Sequence, residues 1–233
     1  QGEFGSAVDK KGNVYITDST ISYNHGVNMS SSYQRGAGMY YSGSGYVIQI
    51  TNSTLSNNYN TYYGGGLCID GSNNTISILD STFDNNTNSS YGAAICINTS
   101  DYNYNNILYI TNSTIHNNSA LYAGGGLYFP GYNSAVHIKD SSFTSNKGGS
   151  YGGAMYFKGY YSTADSTGQN VWNITNTLIA DNTATHGAGI YGEFSGNGIY
   201  NIVRSTLNIQ DSSIVQNTAS GNGGAIYWTT MTS

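Results

Sequence analysis

The sequence is poor in charged residues, and this excludes some classes of partner. Asp, Glu, Lys and Arg make up only 8% of its 233 residues, against about 25% in a typical soluble domain. The seven Lys and Arg residues are scattered along a chain whose net charge is −5, so they cannot neutralise a run of phosphates. No segment approaches the roughly 20 apolar residues that a membrane-spanning helix needs. We therefore expect neither a nucleic-acid partner nor a membrane span.

Proline and cysteine are also scarce, with one Pro and two Cys, whereas the chain holds 31 Gly and 23 Tyr. A polar surface that is poor in Lys and rich in Tyr suits an extracellular protein. Residues 1–6, QGEFGS, look like a protease-site remnant joined to a cloning linker, and they are excluded from the fold argument. We expect residues 7–233 to form a single domain that is a fragment of a longer solenoid, because neither end carries a polar cap.

The chain repeats itself. The segment ITNSTLSNN at residues 50–58 returns as ITNSTIHNN at residues 110–118. A related unit occurs seven times, with a second apolar residue two positions before an isoleucine anchor, as in a strand with one buried face. The seven anchors are Ile16, Ile50, Ile78, Ile110, Ile138, Ile174 and Ile209.

The second half of each unit has its own fixed positions. A large apolar residue lies five positions after the anchor, and an asparagine lies three positions later. A triplet of Gly and Ala then follows, and an aliphatic residue comes directly after it. The asparagines are Asn24, Asn58, Asn86, Asn118, Asn146, Asn182 and Asn217. Stacked units can bury an apolar face that one unit cannot. The pattern predicts an all-β, right-handed parallel β-helix of about seven coils, each with three short strands; a globular sandwich would not explain matching columns.

Two polar columns have a physical explanation in such a stack. The asparagine column is expected to form an internal ladder of side-chain amides, which satisfies groups that would otherwise be buried without partners. A second column alternates strictly between Asp and Asn. Because stacked carboxylates about 4.8 Å apart would repel each other, a neutral Asn between them avoids the repulsion. This column consists of Asp18, Asn52, Asp80, Asn112, Asp140, Asn176 and Asp211.

Three segments combine an aromatic or aliphatic-x-x-Asn motif with a GGA[IL]-like turn. They are Phe83 to Asn86 with Gly92 to Ile95, Phe143 to Asn146 with Gly152 to Met155, and Ile214 to Asn217 with Gly223 to Ile226. The combination resembles the polymorphic outer-membrane protein repeats of chlamydiae and the adhesin-like surface proteins of methanogenic archaea. The resemblance implies a surface-exposed passenger or stalk that takes part in adhesion, and it supplies no catalytic motif. Most copies have Ile or Leu where the chlamydial motif has Phe.

A tyrosine column occupies the outward position of the third strand, and two cysteines replace tyrosine within it. Cys68 and Cys96 lie in consecutive coils, close enough for a disulfide, although two free thiols fit the sequence equally well. The column forms either an exposed surface that binds a sugar or a partner or an aromatic ladder that only stabilises the sheet. Its tyrosines are Tyr40, Tyr128, Tyr156, Tyr191 and Tyr227.

Three longer links after the third strand provide further candidates for a binding surface, since insertions in solenoids often carry it. Their tyrosines are Tyr102, Tyr104, Tyr160, Tyr161 and Tyr200.

Four acidic residues follow the same strand in different coils, but no loop supplies two close acids for calcium. They are Asp70, Asp101, Asp165 and Glu193. Asp84 and His116 share a column and are read as a surface pair rather than a catalytic dyad.

These observations favour a non-catalytic, extracellular adhesin-like β-helix. We expect it to bind a glycan or protein of a host or neighbouring cell surface through its tyrosine-bearing loops. The expected partners also include the remainder of a parent chain, and no cofactor or metal is expected. The alternatives are a polysaccharide lyase or glycosidase, which would need paired carboxylates, and a purely structural stalk.

Overall fold

The protein forms a parallel β-solenoid. Its structure, a computed structural model, describes residues 12–26, 35–98, 105–159, 168–196 and 204–232. The strands in these ranges form four parallel sheets of seven strands each, and the ranges contain no helix. The expected all-β solenoid with coil-to-coil pairing is therefore confirmed.

Each sheet takes one strand from every coil. The first sheet contains β1 (Val14–Thr17), β5 (Val47–Thr51), β9 (Thr75–Leu79), β13 (Ile107–Thr111), β17 (Ala135–Lys139), β21 (Gln169–Thr175) and β25 (Arg204–Gln210). The second contains β2 (Thr20–Ser22), β6 (Thr54–Ser56), β10 (Thr82–Asp84), β14 (Thr114–His116), β18 (Ser142–Thr144), β22 (Leu178–Ala180) and β26 (Ser213–Val215).

The other two sheets complete the coil. The third contains the two-residue strands β3 (His25–Gly26), β7 (Tyr59–Asn60), β11 (Thr87–Asn88), β15 (Ser119–Ala120), β19 (Lys147–Gly148), β23 (Thr183–Ala184) and β27 (Thr218–Ala219). The fourth contains β4 (Met39–Ser42), β8 (Leu67–Asp70), β12 (Ile95–Asn98), β16 (Leu127–Gly131), β20 (Met155–Gly159), β24 (Ile190–Gly196) and β28 (Ile226–Thr232).

Two details of the predicted coil were wrong. Each coil has four strands rather than three, because the two-residue strand that follows the asparagine ladder pairs with its equivalents in the neighbouring coils. Two residues are too short for an apolar alternation to appear in the sequence. The chain makes six turns between the first and last strand of each seven-stranded sheet, so the solenoid has about six turns where the repeat predicted about seven coils.

The inside of the solenoid is filled by the apolar columns that the repeat predicts. The anchors Ile50 and Ile78 pair directly in adjacent strands and are fully buried, and burial of each such side chain contributes about 1.5–3 kcal/mol. Trp172 fills the core beside Phe157, with ring centroids 4.9 Å apart. On the final strands the core-facing side chains Ile209 and Trp228 are 36% and 37% exposed.

The asparagine ladder is confirmed and continuous. Asn86 donates its side-chain amide to Asn118 Oδ1 at 3.0 Å, and Asn118 donates to Asn146 Oδ1 at 3.0 Å. The same oxygens accept the backbone N–H groups of the preceding asparagines, for example that of Asn86 at 2.9 Å. Each amide therefore satisfies both its neighbour and the turn backbone in a place that water does not reach.

The turn glycines bend the chain as expected. The first glycine of every small triplet has a positive φ between 58° and 67°, which is the left-handed region that side chains rarely adopt. A Cβ on Gly92 would lie 2.5 Å from the carbonyl oxygen of Ile95 and 2.8 Å from the Cβ of Cys96. These glycines are Gly36, Gly64, Gly92, Gly124, Gly152, Gly187 and Gly223.

Candidate functional site

The outward column of the fourth sheet forms as predicted, with its members aligned in register. Tyr128 pairs with Tyr156, which pairs with Tyr191 on the next strand, and Cys68 pairs with Cys96 on earlier strands. The column therefore runs the length of the sheet on the side away from the main core.

Of the two alternatives left open for this column, an exposed surface is wrong for its central members. Tyr128, Tyr156 and Tyr191 are 6%, 2% and 2% exposed, because a second row of side chains covers them. That row comes from the residue before six of the seven turn glycines, and isolated bridges join most of its neighbouring members. The six residues are Arg35, Tyr63, Tyr91, Ala123, Tyr151 and His186. The two rows make a second hydrophobic cluster outside the solenoid, which we call the outer tyrosine cluster. Its buried members are Cys68, Cys96, Ala123, Tyr128, Tyr156 and Tyr191, and Tyr40, Tyr63, Tyr91, Tyr151 and Tyr227 pack against them.

The glycine turns explain why the second row can lie so close. The Cβ that any other residue would place at Gly187 would be 2.8 Å from the Cβ of Tyr191, and the equivalent distance from Gly223 to Tyr227 is 2.7 Å. Glycine leaves this space open, so the covering side chains approach the column closely. The glycine turns thus leave room for the covering side chains beside the column.

The rings of the outer tyrosine cluster contact one another continuously. Tyr91 lies 4.7 Å from Tyr128, and Tyr151 lies 4.6 Å from Tyr191, measured between ring centroids. Such separations suit tilted and edge-to-face packing, which contributes about 0.5–1.5 kcal/mol per pair beyond burial. The stabilising role that the sequence left open for this column is therefore present in the structure.

Two buried acids accept hydrogen bonds from tyrosine hydroxyls of the cluster. Glu193, which is 6% exposed, accepts a hydrogen bond from the Tyr156 hydroxyl at 2.8 Å, and the Lys158 ammonium lies 3.3 Å from the same carboxyl group. Burial raises the pKa of Tyr156 well above its ordinary value, and the neighbouring Glu193 charge raises it further. Asp70 forms an ion pair with Arg35 and accepts a hydrogen bond from the Tyr40 hydroxyl at 3.3 Å.

These contacts also concern the four acids that the sequence analysis considered as calcium ligands. Asp70 and Glu193 each face a cation of the protein itself, while Asp101 and Asp165 lie outside the described residues. Within the described ranges no group of three or more His, Cys, Asp or Glu residues has the arrangement of a metal site.

Cys68 and Cys96 lie directly opposite each other in β8 and β12, as the sequence predicted. In the structure both are free thiols and both are fully buried. Burial raises the pKa of the Cys96 thiol well above its ordinary value, and a hydrogen bond with Cys68 adds to the effect. Such a thiol is unreactive while the outer tyrosine cluster stays closed.

The loop tyrosines proposed as ligand contacts lie outside the described residues: Tyr102, Tyr104, Tyr160, Tyr161 and Tyr200. Asp84 and His116 pair in register as expected. The imidazole, however, has its Nδ1 2.9 Å from the hydroxyl of Thr144 on the following strand.

The accessible aromatic surface lies on the covering row and on tyrosines one position before it, which the sequence analysis did not single out. Tyr122 is 40% exposed, and its ring centroid is 4.9 Å from that of Tyr91 and 5.6 Å from that of Tyr151. We call Tyr62, Tyr91, Tyr122, Tyr151 and His186 the tyrosine rim, because these side chains are exposed or half-buried above the outer tyrosine cluster. The signal available in the sequence was an aromatic residue one or two positions before most of the turn glycines, as in YYG, SYG and YAG.

Comparison with protein families gives one match. The Chlamydia polymorphic membrane protein repeat matches residues 80–98 and 211–227. The chain resembles the proteins that carry this repeat. Both matched segments had been singled out by motif, and each covers strands from two or more sheets together with the asparagine ladder and a glycine turn. No curated protein matches the chain, and no solved structure matches it. No helix in the described ranges is long and apolar enough to cross a membrane.

Proposed function

We propose that this chain is a surface-exposed, adhesin-like solenoid that contacts a glycan or protein of another cell through the tyrosine rim. The match to the polymorphic membrane protein repeat fits a cell-surface protein of this kind. The observation that carries the proposed contact surface is the exposure of Tyr122 above a rigid, fully packed base. Tyrosine offers a large, rigid and amphipathic contact area, which suits both sugar rings and protein partners.

The outer tyrosine cluster beneath the tyrosine rim makes the rim suitable for binding. Tyr91 and Tyr151 each contact the rings of two buried tyrosines, so these rim side chains lose little rotamer freedom when a partner binds. A surface that is already ordered loses less conformational entropy on association. The extracellular or cell-surface location forms part of the same proposal.

We also propose that the protein is not an enzyme. Glycoside hydrolysis needs a carboxyl group whose pKa is raised so that it can act as a general acid. The accessible carboxyl of Asp140 departs from this requirement, because the hydrogen bond from Asn176 and the nearby Lys139 ammonium lower its pKa. This supports a binding role over a hydrolytic one.

The test measures retention of whole cells on immobilised protein, together with any newly released reducing sugar ends. We expect retention without sugar release, and a loss of at least tenfold with Tyr122→Ala. The matched control is Tyr15→Ala, which removes a tyrosine that is 63% exposed on β1, away from the rim. A second arm, Tyr160→Ala with Tyr161→Ala, tests the loop expectation.

Each outcome has a clear meaning. Equal loss with Tyr15→Ala would remove the rim as the contact surface, and loss only in the loop variant would move the contact to the loop. Release of sugar ends would replace the proposal by an enzymatic one. A folded protein that retains no cell type would favour a purely structural stalk over an adhesin.

A further inference from the structure

A polar groove follows the turn between the first and second sheets. Its volume is about 430 Å³, within the range of ligand-binding clefts, and it spans four successive coils. The lining residues are Asn112, Ser113, Thr114, Asp140, Ser141, Ser142, Asn176, Thr177, Leu178, Asp211 and Ser213. The groove lies at a different corner of the coil from the tyrosine rim, which adjoins the third and fourth sheets.

The alternating Asp/Asn column forms one wall of the groove, and its hydrogen bonds hold it in place. Asn176 donates to Asp140 Oδ1 at 2.7 Å, and Asn112 donates to Asp80 Oδ1 at 2.6 Å. All seven residues of the column have φ between 47° and 51°, a left-handed conformation that Asn and Asp tolerate better than most residues. The wall is therefore rigid before any ligand binds.

The carboxylates of this wall keep acceptor capacity that faces solvent. A carboxylate has about four lone-pair sites, and the Asp140 side chain uses Oδ1 for Asn176 while Oδ2 lies 3.5 Å from the exposed Lys139 ammonium. Asp140 and Asp211 are two coils apart, or roughly 9.6 Å along the axis at the usual strand spacing. The wall thus presents charged acceptors at a regular interval along the groove.

The opposite wall departs from its own column at one residue. The first position of the second-sheet strands is Thr or Ser in every coil except that of Leu178, which lies between Ser142 and Ser213. Leu178 is 41% exposed. It puts an apolar surface in a wall of hydroxyls, and an exposed leucine has no role in the solenoid core.

We infer that this groove binds a linear, hydroxyl-rich polymer, namely a glycan chain of neutral or amino sugars lying along the solenoid axis. Sugar rings carry hydroxyls that donate to carboxylates and amides, together with a C–H face that packs on a side chain such as Leu178. The polar groups repeat along the groove, and Leu178 supplies an apolar surface at one place in it. The negative charges of Asp140 and Asp211 would repel a polyuronate or sulfated chain, which sets the charge class of the ligand.

A glycan fits this position better than an extended peptide. Peptide strands bind solenoids by pairing with an open strand edge, but the groove runs across paired strands whose backbone groups already bond coil to coil, such as Ser142 N to Ser113 O at 3.0 Å. The ligand must therefore be recognised by side chains. This inference rests on the proposed function as far as it assumes a glycan-bearing partner, and it adds the sugar class and the place.

The experiment measures binding of three fluorescently labelled oligomers by anisotropy: a neutral hexose oligomer, an amino-hexose oligomer and a polyuronate. We expect binding of the first two and none of the third. Leu178→Thr, which restores the column's usual residue type, should weaken both by about tenfold. The matched control is Leu121→Thr, since Leu121 is 71% exposed and lies outside the groove.

A second pair of variants tests the role of the carboxylate charge in the groove. Asp140→Asn keeps the left-handed turn and the acceptor for Asn176, and it should weaken the amino-hexose oligomer more than the neutral one. Its control, Asp84→Asn, removes a carboxylate outside the groove and should change neither affinity. Circular dichroism of every variant establishes that the solenoid has formed.

Several results would overturn the inference. They are equal affinity for the polyuronate, no oligomer binding by the folded protein, unchanged affinity in Leu178→Thr, or preference for an extended peptide in the same assay. Failure here is distinguishable from failure of the proposed function. Cell retention that depends on Tyr122 but not on Leu178 would keep the adhesin proposal and remove the groove.

Discussion

The hydroxyl of Tyr156 donates a hydrogen bond to the buried carboxyl group of Glu193 at 2.8 Å. This contact lies outside the solenoid core, within the outer tyrosine cluster, and it joins two adjacent strands of the fourth sheet. The side of the fourth sheet that points away from the solenoid interior is therefore a second packed core, and its stability depends on tyrosines that stay protonated.

Alkaline pH should open this cluster. Burial raises the pKa of Tyr63, Tyr156 and Tyr191 above that of an unfolded tyrosine, which is about 10. Their contribution to stability is thus fully present below about pH 10 and is lost as the pH rises through the folded values. We expect phenolate absorbance to show a late phase that coincides with unfolding. Tyr156→Phe should reduce the amplitude of that phase, and early titration of every tyrosine would contradict the prediction.

The asparagine ladder should be sensitive to truncation. In Asn118→Ala the backbone N–H and side-chain amide of Asn86 lose their acceptor, and the Phe83 carbonyl loses a donor at 3.0 Å. Each buried group left unsatisfied costs about 1–3 kcal/mol, so we expect a loss of at least 3 kcal/mol in guanidinium unfolding. The control is Asn208→Ala, whose exposed hydrogen bond to Asn173 should contribute less than about 1 kcal/mol.

The glycine turns should reject alanine. Gly92 has φ of +62°, and a Cβ there would overlap the Ile95 carbonyl, so Gly92→Ala combines backbone strain with a clash. We expect a loss of more than about 2 kcal/mol in unfolding free energy. Gly12→Ala is the control, since its Cβ meets nothing within 4 Å. Similar stabilities for the two variants would show that the turn can adjust.

The Asp/Asn alternation should stabilise the solenoid by keeping like charges apart. Asn112→Asp would place a carboxylate between Asp80 and Asp140 while keeping a residue that tolerates φ of +47°. Because the column is exposed, the repulsion should be modest, and it should lower the free energy of unfolding measurably at pH 7 and low ionic strength. The loss should shrink at about 1 M salt, where charges on exposed neighbours are screened. Asp80→Asn adds no negative charge and serves as the control; a deficit that persists at high salt would exclude repulsion as its cause.

The two cysteines should react only after unfolding. Cys68 and Cys96 are fully buried free thiols, and the pKa of Cys96 is raised, so both thiolate formation and access of reagent are suppressed. A thiol reagent at pH 8 should label the native protein very slowly and should find two thiols in guanidinium. Absence of thiols in denatured, unreduced protein would instead establish the disulfide that the register allows.

The sequence alone determined the periodic features of this protein. The anchors such as Ile50, the ladder asparagines such as Asn86 and the turn glycines such as Gly92 recur because every coil meets the same environment. Their spacing therefore predicts the parallel solenoid without any knowledge of long-range contacts. The partners of these residues, including the Asp/Asn hydrogen bonds, followed from the same repetition.

Only the tertiary structure decided which side of the fourth sheet faces solvent. Alternation along β20 places Tyr156 outward, but alternation cannot show that Tyr151, five residues earlier, folds back through a left-handed glycine to cover it. The two-residue strands of the third sheet were too short to give a period. The groove beside Leu178 is lined by residues of four successive coils, and packing in three dimensions decides whether such columns form a cleft or a flat face.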